Sequence, residues 1–132
     1  MQQVIGGPDN LARFDNENVI SLETYRKNGE PVRTPVWFLK ENDILIVHTS
    51  DDTGKIKRIR RNPKVRVAPA KFRGEPKADY IDALAELETD PETVVKYYRL
   101  IYKKYGLMGS FAKLIQRFSR SKAKDIIIRI SP

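Results

Sequence analysis

Asn28-Gly29 divides two runs of strand-like alternation, and that arrangement commits the chain to antiparallel β-structure. In Val19–Lys27, residues Val19, Ser21, Glu23 and Tyr25 fall on one side and Ile20, Leu22, Thr24 and Arg26 on the other. The β-branched and aromatic content supports a strand. Asn-Gly tolerates positive φ at both centres of a type I′ turn, so Pro31–Leu39 is expected to return antiparallel to the first run. Lys40–Asp43 reads as another turn and Ile44–Thr49 as a third strand. With such short connections the three are expected to pair in order as a β-meander.

The pattern then breaks. Ser50-Asp51-Asp52-Thr53-Gly54 is rich in turn and cap formers, with Asp51 and Asp52 expected to cap. Lys55–Arg61 follows as a short helix with Ile56 and Ile59 on one face and Lys55 and Arg58 on another. Asn62-Pro63 ends it. Val65–Ala70 alternates as a strand, and Phe72–Pro76 is a loop. Ala78–Thr89 supports two readings. Its Ala, Leu and Glu content favours a helix, its length also suits a barrel strand, and the residues alone tip it to helix. Pro91–Tyr105 is a helix capped by Asp90, with Val94, Val95, Tyr98, Ile101 and Tyr102 as its apolar face and Gly106 as its stop. Ser110–Ser119 reads as a second helix and Asp125–Ile130 as a final strand. Residues 1–16 form an irregular lead with a short helix near Asp9–Phe14, capped by Asp9 or Asn10. The 132 residues suit one domain, 1–132, with a real core.

With 25 Lys and Arg against 17 Asp and Glu, the chain carries +8, which draws it to something anionic: nucleic acid, a membrane surface or a phosphorylated small molecule. Ion-paired, solvated surface is the plainer reading of the same excess. The absence of Cys excludes disulfides, thiolate metal sites and a Cys nucleophile. His48 is the single histidine and nothing near it completes a catalytic triad or a metal site, so it is read as a strand residue and no metal is expected. The opening residues are too polar for a signal peptide, and no run reaches the roughly 18 apolar residues of a spanning helix. A cytoplasmic protein without membrane contact is the expectation.

The strongest chemical signal is Ser50–Arg61. A helix N-terminus offers unpaired N–H groups and the positive end of the dipole, which suits a phosphate. Thr49, Ser50 and Thr53 add hydroxyls, Gly54 permits close approach, and Lys55 and Arg58, one turn apart, can grip one anion together. A solvated basic face is the competing reading. In Arg33-Thr34-Pro35-Val36-Trp37, Pro35 lacks an N–H and marks an edge strand, where open backbone groups beside Trp37 could meet a flat aromatic ligand. Ordinary strand packing is the more usual explanation of a lone Trp. The basic helix Lys113–Arg120 is more simply core packing than a membrane or nucleic-acid contact.

The order RKNGEPVRTPVWF, ILIVHTSDDTGKIKRIRRNPKVRVAPAKFRGEP and KYYRLIYKKYGLMG resembles the pyridoxamine-phosphate-oxidase-like split-β-barrel proteins, closest to their small flavin and deazaflavin oxidoreductases. The resemblance covers roughly Val19–Gly109 and the final strand. It implies a mainly β, α+β fold: an antiparallel split barrel of six to seven strands, with the short basic helix and two helices in the C-terminal half. It implies a homodimer with a cofactor, FMN or the 8-hydroxy-5-deazaflavin coenzyme F420, in a groove at each interface. Residues matching Arg33, Thr34, Pro35, Val36 and Trp37 run along the ring. Those matching Thr49 and Ser50 reach the ribityl chain and phosphate, and Lys55 and Arg58 match the phosphate-holding cations, with Arg60 and Arg61 nearby. By the resemblance Ala78–Leu87 is a barrel strand. Hydride transfer between this cofactor and a small organic substrate is the implied activity, with no catalytic side chain recognisable. A non-enzymatic flavin or deazaflavin carrier is the alternative, and a nucleic-acid-binding module a weaker one.

Overall fold

The computed structural model of the chain describes residues 11–105 and 124–132. Seven strands form one antiparallel sheet: β1 (Val19–Tyr25), β2 (Pro31–Trp37), β3 (Leu39–Glu41), β4 (Ile44–Ser50), β5 (Lys64–Pro69), β6 (Ile81–Glu88) and β7 (Asp125–Ser131). Helix α1 (Gly54–Arg61) lies between β4 and β5, and α2 (Pro91–Tyr105) follows β6. The strand order is β2-β1-β5-β6-β7-β4-β3. The readings of residues 1–10, of Gly106 and of the helices placed within 110–120 lie outside the described residues.

The hairpin forms, with Tyr25 opposite Pro31 and Val19 opposite Trp37. Its turn is not type I′, because only Gly29 has positive φ (89°). The Gly29 N–H donates to Arg26 O and the Arg26 N–H to Glu30 O, both at 2.9 Å, which makes a three-residue loop with glycine at the left-handed position. Asn28 instead bonds Glu30 through its side chain, donating from Nδ2 at 2.7 Å and accepting the Glu30 N–H at 3.0 Å.

The expected meander breaks after β2. Phe38 is fully buried and its N–H donates to the Tyr105 hydroxyl at 3.0 Å, so the ladder to β1 stops there. Beyond it, β3 pairs with β4 through a turn in which Asn42 has φ 54°. The other edge of β4 is taken by β7 from the end of the chain. β2 and β4 therefore approach each other with no ladder between them, and β2 and β3 are the two ends of the sheet.

The segment 78–89 is a strand over Ile81–Glu88, which corrects the helix its residues favour alone. Ala83 and Ala85 are buried while Asp82, Leu84 and Glu86 are exposed, the alternation of a strand with one face inward. Pairing with β5 and β7 on its two edges overrides the propensity.

Two apolar clusters divide the core. One fills the concave side, where Ile20, Leu22, Leu45, Val47, Val65, Val67, Ile126, Ile128 and Ile130 meet Ile56 and Ile59 of α1 and Leu11 and Phe14 of the lead. The other lies under α2, against Ile46 and Ile127. Asp90 caps α2, its Oδ2 accepting the Thr93 N–H at 3.1 Å. The buried stripe of α2 is Val94, Tyr97, Ile101 and Tyr105, whereas Val95 and Tyr102 are exposed, so the apolar face is rotated from the one expected. Among the described residues no helix is long and apolar enough to cross a membrane.

Candidate functional site

Helix α1 begins without the partners a helix N-terminus normally has. Thr53 is the N-cap residue in extended conformation, but its side chain makes no cap hydrogen bond and the first turn carries no acidic residue. The Thr53 hydroxyl donates backward to Ser50 O at 3.1 Å. Capping by Asp51 or Asp52 is thus corrected: Asp51 instead accepts the Lys124 N–H at 3.2 Å and ties the turn to the start of β7. Among the described residues no acid of the chain meets the first N–H groups of α1 or the positive end of its dipole.

Two cations stand at this end. Burial first, and the neighbouring Arg58 second, push the Lys55 amine below its ordinary pKa. Burial, then Arg26 and Arg61, do the same to Arg58. The Arg58 guanidinium is fixed in place, donating from Nε to the hydroxyl of fully buried Thr24 at 2.6 Å. It folds back over Gly54, where a Cβ would stand 2.8 Å from Nη1. Gly54, Lys55, Arg58 and Thr24 thus converge. Thr49 and Ser50, buried at the end of β4, lead directly into the turn.

Other expected residues go elsewhere. Arg60 is exposed away from Lys55 and Arg58, while Arg61 shares their side. Arg33 belongs to a separate cluster: its Nε donates to Glu23 Oε2 at 2.8 Å, and its guanidinium lies over the Tyr80 ring, 4.5 Å from the centroid. Trp37 stacks on Tyr105 with centroids 5.1 Å apart and rings 13° from parallel. Arg33, Pro35 and Trp37 share one face of β2 and Thr34 and Val36 the other, so side chains from the whole run do not meet on one surface.

Their backbone has a common feature. The Arg26–Glu30 bond sets the ladder phase, so that residues 32, 34 and 36 bond β1 and residues 33, 35 and 37 turn their backbone groups to the open edge. Pro35, opposite Ser21, occupies a position whose missing N–H costs the sheet nothing. Gly74, at φ 101°, seats the 71–75 turn against this strand, where a Cβ would lie 3.2 Å from Pro35 Cβ. The open edge of β2 faces the seam that lacks a ladder to β4.

Sequence reasoning missed Thr24 and Arg26. The signal was present in the inward stripe of β1, where Ile20 and Leu22 give way to Thr24 and then Arg26. A hydroxyl continuing an apolar stripe marks a buried polar partner. Neither of two described clefts, about 720 Å³ beside Lys104 and about 650 Å³ beside Leu84, is lined by Lys55 or Arg58. Among the described residues no group of His, Cys, Asp and Glu could hold a metal ion.

The sequence model described as pyridoxamine 5'-phosphate oxidase matches residues 8–132. No curated protein matches the chain. Solved structures do. An F420 reductase is 17% identical over 100% of this chain and 95% of its own, with a TM-score of 0.63. The heme storage protein HutZ of Vibrio cholerae is 18% identical over 98% and 91%, with a TM-score of 0.68. A FAD-binding protein of Mesorhizobium loti is 16% identical over 93% and 84%, with a TM-score of 0.64. At these identities the likeness carries the split-barrel fold, in agreement with the seven-stranded antiparallel sheet.

Proposed function

The chain belongs to the pyridoxamine 5'-phosphate oxidase family, and from that membership we propose that it is a cytoplasmic oxidoreductase binding F420 or FMN through the phosphate. The observation that carries the reading is the uncapped N-terminus of α1 with two half-buried cations that have no carboxylate partner among the described residues. Residues of these types, so placed, fit a phosphate. We take the single domain 1–132 to complete the site with a second copy, because the unpaired edge of β2 would otherwise leave a bound ring half exposed to water.

When bound, the flavin or deazaflavin supplies the hydride chemistry. The chain's part is to hold and orient. Lys55 and Arg58 neutralise the phosphate, Thr24 fixes the Arg58 fork, and Gly54 lets the anion approach the first N–H groups. Thr49 and Ser50 stand where the ribityl chain enters. The Arg33 and Trp37 N–H groups on the open β2 edge would hold the ring, with Gly74 packed against Pro35 behind them.

Absorption spectra and mass spectrometry of the purified protein, followed by titration with F420 and FMN, test the proposal. Lys55→Ala and Arg58→Ala should each weaken cofactor binding roughly ten- to a hundredfold, since a charge-assisted bond contributes about 1.5–3 kcal/mol. Their effects should not add, because both act on one anion. Unchanged affinity in both variants would remove the site.

A carrier role is the second reading. It is favoured by the character of the converging residues, two cations, a glycine and the hydroxyl that aims one of the cations, and by the likeness to a heme storage protein. Turnover with a reductant and an acceptor separates the two: bound cofactor without turnover selects the carrier.

A further inference from the structure

Lys104, in the last turn of α2, has no carboxylate partner among the described residues. Its Nζ donates instead to two backbone oxygens, Phe38 O at 2.7 Å and Glu17 O at 3.2 Å. The rings of Phe38 and Tyr105 have their centroids 4.1 and 4.9 Å from it. Ring faces and carbonyls favour a cation, but burial without a counter-charge brings this amine down to about 8. Two carbonyls ask for two N–H donors, and a neutral lysine amine has two. Losing the third proton therefore leaves both bonds intact and frees a lone pair on the side away from the two oxygens. Lys104 also lines the cleft of about 720 Å³, with Asp15, Asn16, Glu17, Asn18 and Asn42. Both acids are matched, Asp15 by Lys40 and Glu17 by Lys77. The three asparagines are exposed, and among the described residues their amides make no hydrogen bond within the chain. Asn16 and Asn42 have φ of 62° and 54°, so an asparagine stands at a left-handed bend both in the lead before β1 and in the β3–β4 turn.

We propose that Lys104 is a covalent capture site for a small, uncharged hydroxyaldehyde, held through its hydroxyl groups by the asparagine amides while the amine attacks its carbonyl. The lone pair of Nζ adds to the aldehyde carbon, and one amine proton passes to the oxygen to give a carbinolamine. The carbinolamine expels its hydroxyl as water together with the second amine proton, which leaves an imine. No oxidant or reductant is consumed. Once protonated from solvent, the imine has one N–H, which can return to Phe38 O. Neither Lys55 nor Arg58 lines this cleft, so the capture stands apart from the cofactor grip.

The test is reductive trapping of the full chain near neutral pH with glyceraldehyde and cyanoborohydride, followed by peptide mass spectrometry over time. Lys104 should be modified at least about tenfold faster than Lys103, its exposed neighbour on the same helix, because the neutral fraction of an amine there rises about tenfold for each unit its pKa falls. That preference should shrink as the pH approaches about 10, where unshifted lysine amines also lose their protons. The ratio of Lys104 to Lys103 labelling should be about threefold lower with propanal, which has no hydroxyl groups. It should fall by about the same factor for glyceraldehyde in Asn42→Gly, a change that suits the left-handed bend and removes only the amide. Labelling of Lys104 no faster than of Lys103, or a preference that does not change with pH, overturns the capture site. Equal ratios for the two aldehydes overturn the recognition of hydroxyl groups. The first comparison uses the unaltered chain, so a variant that fails to fold does not blunt it.

Discussion

Two neighbouring residues of β1 hold arginines in opposite ways. Glu23 faces outward and Thr24 inward. Glu23 is 1% exposed and accepts from Arg33 Nε at 2.8 Å, Arg66 Nε at 2.7 Å and the Tyr25 hydroxyl at 2.6 Å. Both guanidinium groups lie over Tyr80, whose hydroxyl is 2.7 Å from Ser21 Oγ. Burial alone would raise the Glu23 pKa, but the bonds from Arg66, Tyr25 and Arg33 outweigh it and bring it to about 2. These arginines are matched and hold their protons more tightly than usual. Thr24 gives Arg58 a direction and no charge, and Arg58 is destabilised as a cation. Among the described residues, one cluster has its counter-charge and the other has none. A positive net charge therefore says little until each cation's partner is known.

Removing the matched carboxylate tests the finished cluster and should have the largest effect. Glu23→Gln leaves two arginines side by side with no counter-charge. Breaking a buried ion pair costs about 3–5 kcal/mol, and since both arginines keep water on one side we expect about 2–3 kcal/mol, read as a lower urea midpoint. Cofactor affinity should be unaffected. A variant as stable as the wild type would show that the cluster contributes nothing.

The same residue gives the clusters different acid behaviour. The folded pKa of Glu23, about 2, lies below its ordinary 4.5, so its stabilisation is complete above pH 4.5. It is lost as the pH falls from 4.5 to 2, because the unfolded chain takes up the proton first. The full shift corresponds to about 3 kcal/mol, which the water on the exposed sides of Arg33 and Arg66 reduces to about 2 kcal/mol across that window, and the loss should be missing in Glu23→Gln. Arg58→Ala should keep the wild-type acid limb. Urea midpoints measured at intervals across that range decide it, and identical limbs in wild type and Glu23→Gln would refute the assignment.

The sequence carries the local part of this picture and not the long-range part. Alternation found β1, β2 and β4, and Pro35 marked β2 as an edge. Asp90 and Pro91 fixed the start of α2 because capping depends on a few adjacent residues. The meander failed because the partner of β4 is β7, and because Phe38 gives its N–H to a tyrosine 67 residues away. Ala78–Thr89 misled because a strand paired on both edges accepts Ala and Leu that a free segment would turn into helix. The resemblance corrected that reading where propensity did not. At the site, Lys55, Arg58 and Gly54 were legible as spacing. Arg33 was legible only as an arginine, since its pairing with Glu23 depends on a register that no local pattern displays. Thr24 and Arg26 joined the site through the same register.

The smallest expected effect is also the one that separates direction from charge. Gly54→Ala changes no charge anywhere. The new Cβ meets Arg58 Nη1 at 2.8 Å, too close to be tolerated, but that atom is the far end of a flexible side chain and can swing away. The backbone is not strained, since Gly54 is not among the positive-φ residues. Alanine also has the better helix propensity, but freeing the buried Thr24 hydroxyl from its partner offsets that gain, so stability should fall by about 1 kcal/mol or less. Cofactor binding should nevertheless weaken about three- to tenfold, because the guanidinium loses its aim and its bond to Thr24. Thr24→Val, nearly the same shape without the hydroxyl, should give a loss of similar size in binding. Affinity measured by titration should then fall by more than stability measured by urea in Gly54→Ala. If affinity is unchanged in both variants, the position of Arg58 does not matter and only its charge does, and the contrast between a hydroxyl that aims and a carboxylate that neutralises would lose its functional meaning.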